Sequence, residues 1–364
     1  MNYRTSIGLD VHARSIKAAA FIPETGEIVE KGFAYDPAQL LSWVETLPKP
    51  AQAVYESGPT GFDLARALNK QGLSCKVGAV SKMFKASGDR IKTDRRDAIF
   101  LARMLAVGNV VEVFIPSLAL EAARDLSRAR EDTRKDLMRA RHLLSKFLLR
   151  KGIAYDKGKT AWTKAHKAWL GSLAFDYEEE RLVFASYTEG VAFFECRKAS
   201  LDKEIARRAA LPEYAPLVDA LCCLRGVSTV TAFAIATEIG DFMRFPGAKG
   251  FMSYLGLVPS EYSTGENIVR GAITRTGNIH LRTLCVESSW HHKRTYRPLS
   301  QTSMTAFGKV PGDVVLVAQK ANRRLHERYC YLLSRNKKPA VANVAIAREL
   351  AGFIWAIGRL VQGS

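Results

Sequence analysis

The sequence has no apolar run that approaches the roughly 20 residues needed for a membrane-spanning helix. Neither end carries a strongly basic amphipathic segment of the kind that binds membrane surfaces. Residues 1–10, MNYRTSIGLD, lead directly into a predicted strand and do not have the form of a signal peptide. We therefore expect no membrane partner and a cytoplasmic location.

Cysteine is scarce and scattered, with six residues in 364 and no CxxC pair or His/Cys cluster. This spacing argues against a Cys/His zinc site and against a disulfide framework. We expect reduced thiols in a cytosolic protein. The six residues are Cys75, Cys196, Cys222, Cys223, Cys285 and Cys330.

Acidic residues are outnumbered, with 36 Asp and Glu against 54 Lys and Arg, which gives a formal net charge of +18. A charge excess of this size favours a polyanionic partner such as nucleic acid, because Lys and Arg neutralise phosphates. The hydrophobic content of 47% is ordinary for a globular protein, and a chain of 364 residues is expected to form two or three domains.

Within this basic chain, four acidic residues have settings that favour metal binding. Asp10 ends the apolar run SIGLD, Glu56 ends AQAVYE, and Asp94 and Asp97 lie three apart in KTDRRDA, where they share one helix face. Carboxylates are the hard ligands that Mg²⁺ prefers, and two such ions can stabilise both oxygens of an in-line phosphoryl displacement. We predict a site for two Mg²⁺ ions, with Mn²⁺ as the alternative ion. The competing interpretation is four separate solvated acids that cap or complement their own elements.

The first 115 residues have the pattern of an α/β domain of the ribonuclease-H type. Strands are predicted over 6–10, 15–21 and 28–33, followed by alternating helices and strands to about residue 108. In that layout the first-strand Asp and the fourth-strand Glu converge at one edge of the sheet. The segment GLDVHARSIKAAAF also resembles the phosphate-binding hairpin of actin-like sugar kinases. However, His12, Ala13 and Arg14 occupy the loop, and no glycine-rich adenosine loop follows.

Two long helices are predicted in the middle segment, residues 116–215, over 117–150 and 178–210. They would form a helical hairpin or coiled coil. The first helix is rich in arginine, which could follow a phosphate backbone or simply form a solvated or dimerising face. Its arginines are Arg124, Arg128, Arg130, Arg134, Arg139, Arg141 and Arg150.

The last segment, residues 216–364, is predicted to be mainly helical. LRGVSTVTAFAIATEIG resembles half of a helix-hairpin-helix element, with a turn at 226–228 that suits phosphate binding. A polar, glycine-rich loop follows in GLVPSEYSTGENIVRGAITRTGNIHLR, with Ser263 and Thr264 before Gly265. A hydroxyl there could attack a phosphodiester while guanidinium groups hold its oxygens. An ordinary surface loop is the alternative. The candidate guanidiniums are Arg270, Arg275 and Arg282.

Together these stretches resemble the insertion-sequence transposases that combine a RuvC-like DEDD domain with a C-terminal serine transposase domain. The matching pieces run through nearly the whole chain in the family's order. They are GLDVH, VYESGPTG, KTDRRDA, LRGVSTVTA and GLVPSEYSTG followed by RGAITRTGNIHLR. The resemblance assigns Asp10, Glu56, Asp94 and Asp97 to the metal-binding set.

The resemblance also implies a nucleophilic serine just before the glycine of YSTG. Thr264 directly precedes Gly265, and Ser263 stands one residue further back. Position relative to the glycine selects Thr264, whereas the type of hydroxyl selects Ser263, which we favour because the β-branch of threonine restricts its rotamers.

Members of this family are bridge-RNA-guided recombinases. The resemblance therefore implies donor and target DNA, an element-encoded noncoding RNA and a homo-oligomer, either a dimer or a tetramer, as partners. It also places the protein on the nucleoid when it is bound to DNA. Two other functions stay open: a metal-dependent nuclease that resolves DNA junctions with water, and a non-catalytic nucleic-acid-binding protein.

Overall fold

The structure is a computed structural model that describes residues 3–79, 83, 94–156, 158, 160–264, 267–296 and 308–363. The chain forms two compact units, Met1–Pro116 and Ser117–Ser364. The expected division into three domains, at about 115 and 215, stays a prediction.

Unit 1 contains a five-stranded mixed sheet in the order β3-β2-β1-β4-β5. Strands β1, β2 and β3 form an antiparallel meander, and β4 and β5 run parallel to β1 and to each other. This is the α/β arrangement of the ribonuclease-H type that the sequence predicted. The strands are β1 (Thr5–Val11), β2 (Ser15–Ile22), β3 (Glu27–Ala34), β4 (Ala51–Glu56) and β5 (Ser74–Gly78).

Helices cover both faces of the sheet because alternate residues of each strand point to opposite sides. Ile7 and Leu9 are fully buried in the cluster that includes helices α1 (Pro37–Val44) and α2 (Asp63–Lys70). On the other face, Val54 packs against helix α3 (Asp94–Ala106).

Gly8 sets the distance between β1 and α3. A Cβ atom at this position would lie 1.9 Å from the carbonyl oxygen of Ala98 and 2.5 Å from the amide nitrogen of Ala102. Only glycine therefore allows the backbone of α3 to rest on the strand. Gly8 is two residues from Asp10, and α3 begins at Asp94, so this contact brings two predicted metal ligands into the same region.

Unit 2 begins with two long helices, α4 (Leu118–Arg150) and α6 (Glu178–Ala209), which pack along one another. Arg130 pairs with Asp202 and Arg141 with Glu195, so the partner number falls as the α4 number rises. The helices are therefore antiparallel, as the predicted helical hairpin requires. The short helix α5 (Lys164–Gly171) contributes to the apolar cluster between them.

The rest of unit 2 is a helical bundle around one large apolar core. The helix α12 (Pro339–Gln362) is long and apolar enough to span a membrane by length and composition. Its residues Ile346, Leu350 and Ile354 are nevertheless buried in the bundle core. It therefore has the packing of a core helix. The helices are α7 (Ala215–Cys222), α8 (Thr229–Ile239), α9 (Ala248–Tyr254), α10 (Ile279–Ser289), α11 (Gly312–Ser334) and α12 (Pro339–Gln362).

The predicted two-helix element with a glycine turn is formed by α7 and α8. Gly226 has a φ of +87°, and a Cβ there would lie 2.3 Å from the carbonyl oxygen of Ser288 at the end of α10. The glycine is thus required by close packing of the turn within the bundle. Ser228 caps α8 by accepting a hydrogen bond from the Thr231 amide.

The segment predicted as a polar loop is instead an antiparallel hairpin of β6 (Pro259–Thr264) and β7 (Asn267–Ile273). The prediction of a loop was wrong. It was based on the glycine and polar content of the segment, whereas β-branched and aromatic residues at alternating positions favour a strand. Tyr262 and Val269 are such a cross-strand pair.

The substitution Gly8→Ala is expected to destabilise unit 1 by about 3 kcal/mol, since the added methyl group must push α3 from the sheet. Native-state hydrogen exchange of the amides in β1 and α3 measures this change. Gly58→Ala is the matched control, because the atom nearest to its added Cβ is 4.0 Å away. Equal exchange in the two variants would show that the α3 contact is not tight.

Candidate metal centre and nucleophile hairpin

Asp10 and Glu56 lie at neighbouring strand ends. β1 and β4 are parallel, and Leu9 pairs with Tyr55, so the next residue on each strand is Asp10 and Glu56. Both follow a buried apolar strand and emerge at the same edge of the sheet. The Asp10 side chain is 23% exposed, whereas Glu56 is exposed. The convergence predicted from the ribonuclease-H layout is therefore present in the backbone.

Asp94 and Asp97 occupy the first turn of α3. The Nε2 atom of His12 lies 3.2 Å from Oδ2 of Asp10 and 3.5 Å from Oδ2 of Asp94. His12 therefore contacts a carboxylate oxygen of both acids. Asp10, His12 and Asp94 each offer a ligand atom, and these atoms lie within 4.8 Å of one another, close enough to hold a metal ion.

The electrostatics of Asp10 favour a bound cation. Burial raises the pKa of Asp10, the charges of Asp94 and Asp97 raise it further, and His12 opposes the rise. The carboxylates therefore repel one another, and a divalent cation would remove that repulsion. The oxygen donors fit the hard ions Mg²⁺ and Mn²⁺.

His12 is the site residue that our sequence reasoning missed. We considered it only as a residue that does not suit a kinase phosphate loop. It follows β1 directly and stands two residues after Asp10. Residues i and i+2 of an extended strand project to the same face, which would have placed His12 beside Asp10.

The four predicted acids differ in how closely they meet. Asp10 and Asp94 meet at His12, and Asp97 is near enough to raise the pKa of Asp10. Glu56 is at the adjacent strand end but does not belong to the three-residue group found among the described residues. The assignment of all four acids as metal ligands stays a prediction.

The predicted nucleophiles stand at the end of the β6–β7 hairpin. In the backbone, Ser263 pairs with Ile268 and Thr264 with Asn267. Gly265 and Glu266 lie outside the described residues, as do the side chains from 263 to 268. The choice between the two hydroxyls therefore stays a prediction.

The base of the hairpin is held by close backbone contacts. Gly256 has a φ of +66°, and a Cβ there would lie 2.1 Å from the carbonyl oxygen of Thr276. Arg275 has a φ of +56°, and its amide donates to the Gly256 carbonyl at 3.1 Å. A left-handed non-glycine residue persists only where its surroundings fix it, so this turn has one defined shape.

A buried carboxylate ties this turn to two helices. Glu238, 2% exposed at the end of α8, accepts hydrogen bonds from Arg128 Nε at 2.7 Å and Nη2 at 3.2 Å. Its Oε2 also accepts from Asn278 Nδ2 at 2.9 Å, and Asn278 Oδ1 caps α10 through the Leu281 amide. Burial alone would raise the pKa of Glu238, but the hydrogen bonds from Arg128 and Asn278 outweigh it and lower the pKa.

The predicted phosphate-binding arginines have different surroundings. Arg270 is exposed, with Nε 3.5 Å from Glu261 Oε2. Arg282 is partly buried, and its Nη1 donates to the Leu255 carbonyl at 2.8 Å and to the Thr276 carbonyl at 3.4 Å. It thus supports the hairpin base. Binding of phosphate by Arg270, Arg275 and Arg282 stays a prediction.

Most arginines of α4 make contacts inside unit 2. Arg124 donates to the backbone carbonyls of Thr237 and Glu238. Four others form ion pairs with carboxylates on α4, α6 or α8, namely Arg128, Arg130, Arg134 and Arg141. For these five residues, the abundance of arginine in α4 is therefore explained by contacts within unit 2.

The substitution Glu238→Gln is expected to lower the stability of unit 2 at pH 7 by about 2–3 kcal/mol, because Arg128 loses its buried partner. A carboxyl with a lowered folded pKa stabilises above its unfolded pKa of about 4.5, and this contribution is lost as the pH falls through the folded pKa. The difference in the free energy of unfolding between variant and wild type should therefore become smaller below pH 4.5. Urea unfolding at several pH values measures it.

Glu204→Gln is the matched control, since Glu204 makes exposed pairs with Arg207 and Arg208 on its own helix. It should change stability little at any pH. If Glu238→Gln behaves like Glu204→Gln, the buried pair does not hold the hairpin base.

Comparison with known proteins gives a consistent result over both units. Residues 7–152 match the DEDD-type IS110 transposase model, and residues 218–304 match the model described as Transposase IS116/IS110/IS902 family. A putative transposase of Sinorhizobium fredii, y4qE, is 40% identical over 305 residues, covering 84% of this chain and 74% of that protein.

Two further relatives are transposases of named insertion sequences. The transposase of IS1533 from Leptospira borgpetersenii is 31% identical over 350 residues, covering 93% of this chain and 99% of that protein. The transposase of IS1328 from Yersinia enterocolitica is 24% identical over 290 residues, covering 78% and 82%. With the acidic edge of unit 1 and the hairpin of unit 2, these matches show that the chain belongs to the IS110/IS116 family of insertion-sequence transposases.

Proposed function

We propose that this transposase breaks and rejoins DNA strands with a hydroxyl of the hairpin, Ser263 or Thr264, together with divalent ions held by unit 1. The observation that carries the proposal is the meeting of Asp10, His12 and Asp94 at the edge of the sheet. A DNA transposase needs to stabilise charge on a phosphodiester, and these three residues offer ligand atoms close enough together to hold a cation.

Asp10 and Asp94 would hold the metal, with Glu56 and Asp97 as the remaining ligands. When bound, Mg²⁺ or Mn²⁺ would neutralise charge on the phosphate oxygens, and two ions could serve the attacking and leaving oxygens. His12, whose Nε2 lies 3.2 Å from Asp10 Oδ2, would orient that carboxylate, as groups behind metal ligands commonly do.

The hydroxyl would attack the phosphorus atom and release a DNA 3′ or 5′ hydroxyl, which leaves the protein joined to the strand by a phosphodiester. Reversal by another strand end restores the free hydroxyl, so no ATP is consumed. The defined turn at Gly256 and Arg275 supports this role, since attack requires a hydroxyl at a fixed position.

The partners follow from the charge and from the family. A net charge of +18 suits two polyanions, the DNA to be joined and an element-encoded noncoding RNA that selects the target by pairing. A homo-oligomer, a dimer or a tetramer, would let unit 1 of one chain work with the hairpin of another. The proposal places the protein in the cytoplasm, on the nucleoid when it is bound to DNA.

A junction-resolving nuclease is the second candidate, because the carboxylate site could also activate water. The two candidates differ in one respect. Only the recombinase needs the hairpin hydroxyls, whereas both need Asp10.

Asp10→Asn and the double variant Ser263→Ala/Thr264→Ala are each expected to reduce strand cleavage on the order of 10³-fold, since each removes several kcal/mol of transition-state stabilisation. A radiolabelled element end, with Mg²⁺ and the element's noncoding RNA supplied, measures the rate. The single variants Ser263→Ala and Thr264→Ala identify the nucleophile, because only one should abolish cleavage.

Asp63→Asn provides the control, since Asp63 is an exposed acid in unit 1 that pairs with Arg66 on its own helix. It should cleave at the wild-type rate. Wild-type cleavage by the double hydroxyl variant, with loss in Asp10→Asn, would favour the junction nuclease instead.

A further inference from the structure

Lys17 lies beside Asp10 in the sheet. In the backbone register Asp10 pairs with Lys17 across β1 and β2, and Lys17 pairs with Gly32 across β2 and β3. Residues directly opposite in a sheet project to the same face. The Lys17 side chain is therefore on the face that carries α3 and the predicted metal centre.

Gly32 leaves room for the Lys17 side chain. A Cβ atom at Gly32 would lie 3.0 Å from Lys17 Nζ and 3.6 Å from its Cδ, so the lysine stem lies across the glycine. Gly32 does not have a positive φ. Glycine at this position therefore provides space for the lysine side chain. It is not required by an unusual backbone conformation.

Unlike Arg95, which lines the same groove, Lys17 has no acidic partner among the described residues of unit 1. Arg95 Nε and Nη2 donate to Glu30 at 2.5 and 2.7 Å, Lys76 pairs with Glu112, and Arg4 pairs with Glu24. Within the described part of unit 1, no carboxylate lies within ion-pair distance of Lys17, which is exposed. Its charge is therefore available to a ligand.

An open groove connects Lys17 with the metal centre. The groove has a volume of about 630 Å³, and its lining includes Lys17, Glu30, Gly32, Asp94 and Arg95. Asp94 contributes to the predicted metal centre, and the charge of Glu30 is neutralised by Arg95. An anion that enters here meets the Lys17 ammonium group in the same groove as Asp94, a predicted metal ligand.

We propose that Lys17 binds a phosphate of the DNA strand next to the one that is cut, with its ammonium group donating to a non-bridging oxygen. The inference rests on the proposed function and adds to it a residue that positions the strand. DNA is the ligand, and not RNA, because the groove is also lined by Asp94, which belongs to the centre where the proposed function has the phosphodiester broken. A lysine suits a flanking phosphate as a flexible point charge.

The test measures binding of a duplex oligonucleotide carrying the element end to the full-length protein in EDTA, at several salt concentrations. Lys17→Gln should lower the affinity about three- to tenfold near 0.15 M salt. It should also reduce the slope of log K against log salt by about one, as expected for the loss of one phosphate contact. Because no metal is present, the result does not depend on cleavage.

Gly32→Ala provides a second variant that leaves the charge in place. The new methyl group would displace the Lys17 ammonium, so DNA affinity should fall in the same direction but less. Combining it with Lys17→Gln should cause no further loss, since both changes act on one contact. Lys70→Gln, the control on α2, removes an exposed charge from the opposite side of the sheet and should leave affinity almost unchanged.

Equal affinities and salt slopes for Lys17→Gln and Lys70→Gln would overturn the proposal. So would a loss of affinity for single-stranded RNA of the same sequence with DNA affinity unchanged. If the proposed function itself is wrong, Asp10→Asn should cleave DNA at the wild-type rate. That result does not depend on whether Lys17 binds DNA.

Discussion

The backbone contact between Gly8 and helix α3 determines the geometry of unit 1. A strand and a helix usually meet through side chains, but here the carbonyl oxygen of Ala98 occupies the space that a Cβ of Gly8 would need. The first turn of α3 therefore reaches the carboxyl end of β1, where Asp94 and His12 meet Asp10. Burial and, to a smaller extent, repulsion from Asp94 and Asp97 raise the pKa of Asp10, and tight packing keeps the acids together in spite of this repulsion.

In unit 2, a buried carboxylate holds distant elements together. Glu238 joins Arg128 on α4 with Asn278 at the start of α10, and Asn278 follows the turn that ends the hairpin. Breaking one member of such a network leaves a buried polar group unpaired, which costs more than the network contributes when complete. Both units thus place polar groups of the predicted catalytic machinery on elements fixed by buried contacts, the arrangement expected for a preorganised site.

The sequence predicted the regular elements well, because they depend on local pattern. The meander β1–β3, the helix Glu178–Ala209 and the neighbouring positions of Asp10 and Glu56 follow from alternation, helical periodicity and parallel pairing. It did not predict features that depend on contacts between distant residues. The β6–β7 hairpin was interpreted as a loop. For Arg128 the sequence left open a phosphate contact or a solvated or dimerising face, and it did not predict the pair with Glu238, 110 residues away. Lys17 has no motif, and only the register with Asp10 and Gly32 distinguishes it from other exposed lysines.

We expect the acidic edge of unit 1 to hold divalent cations that act on DNA. Anomalous diffraction from crystals grown with Mn²⁺ and an element-end duplex tests it most directly. We expect an anomalous peak within ligand distance of the carboxylates of Asp10 and Asp94, and loss of that peak in Asp10→Asn. Crystals with Mn²⁺ bound elsewhere on the chain, and no peak between these two residues, would contradict it.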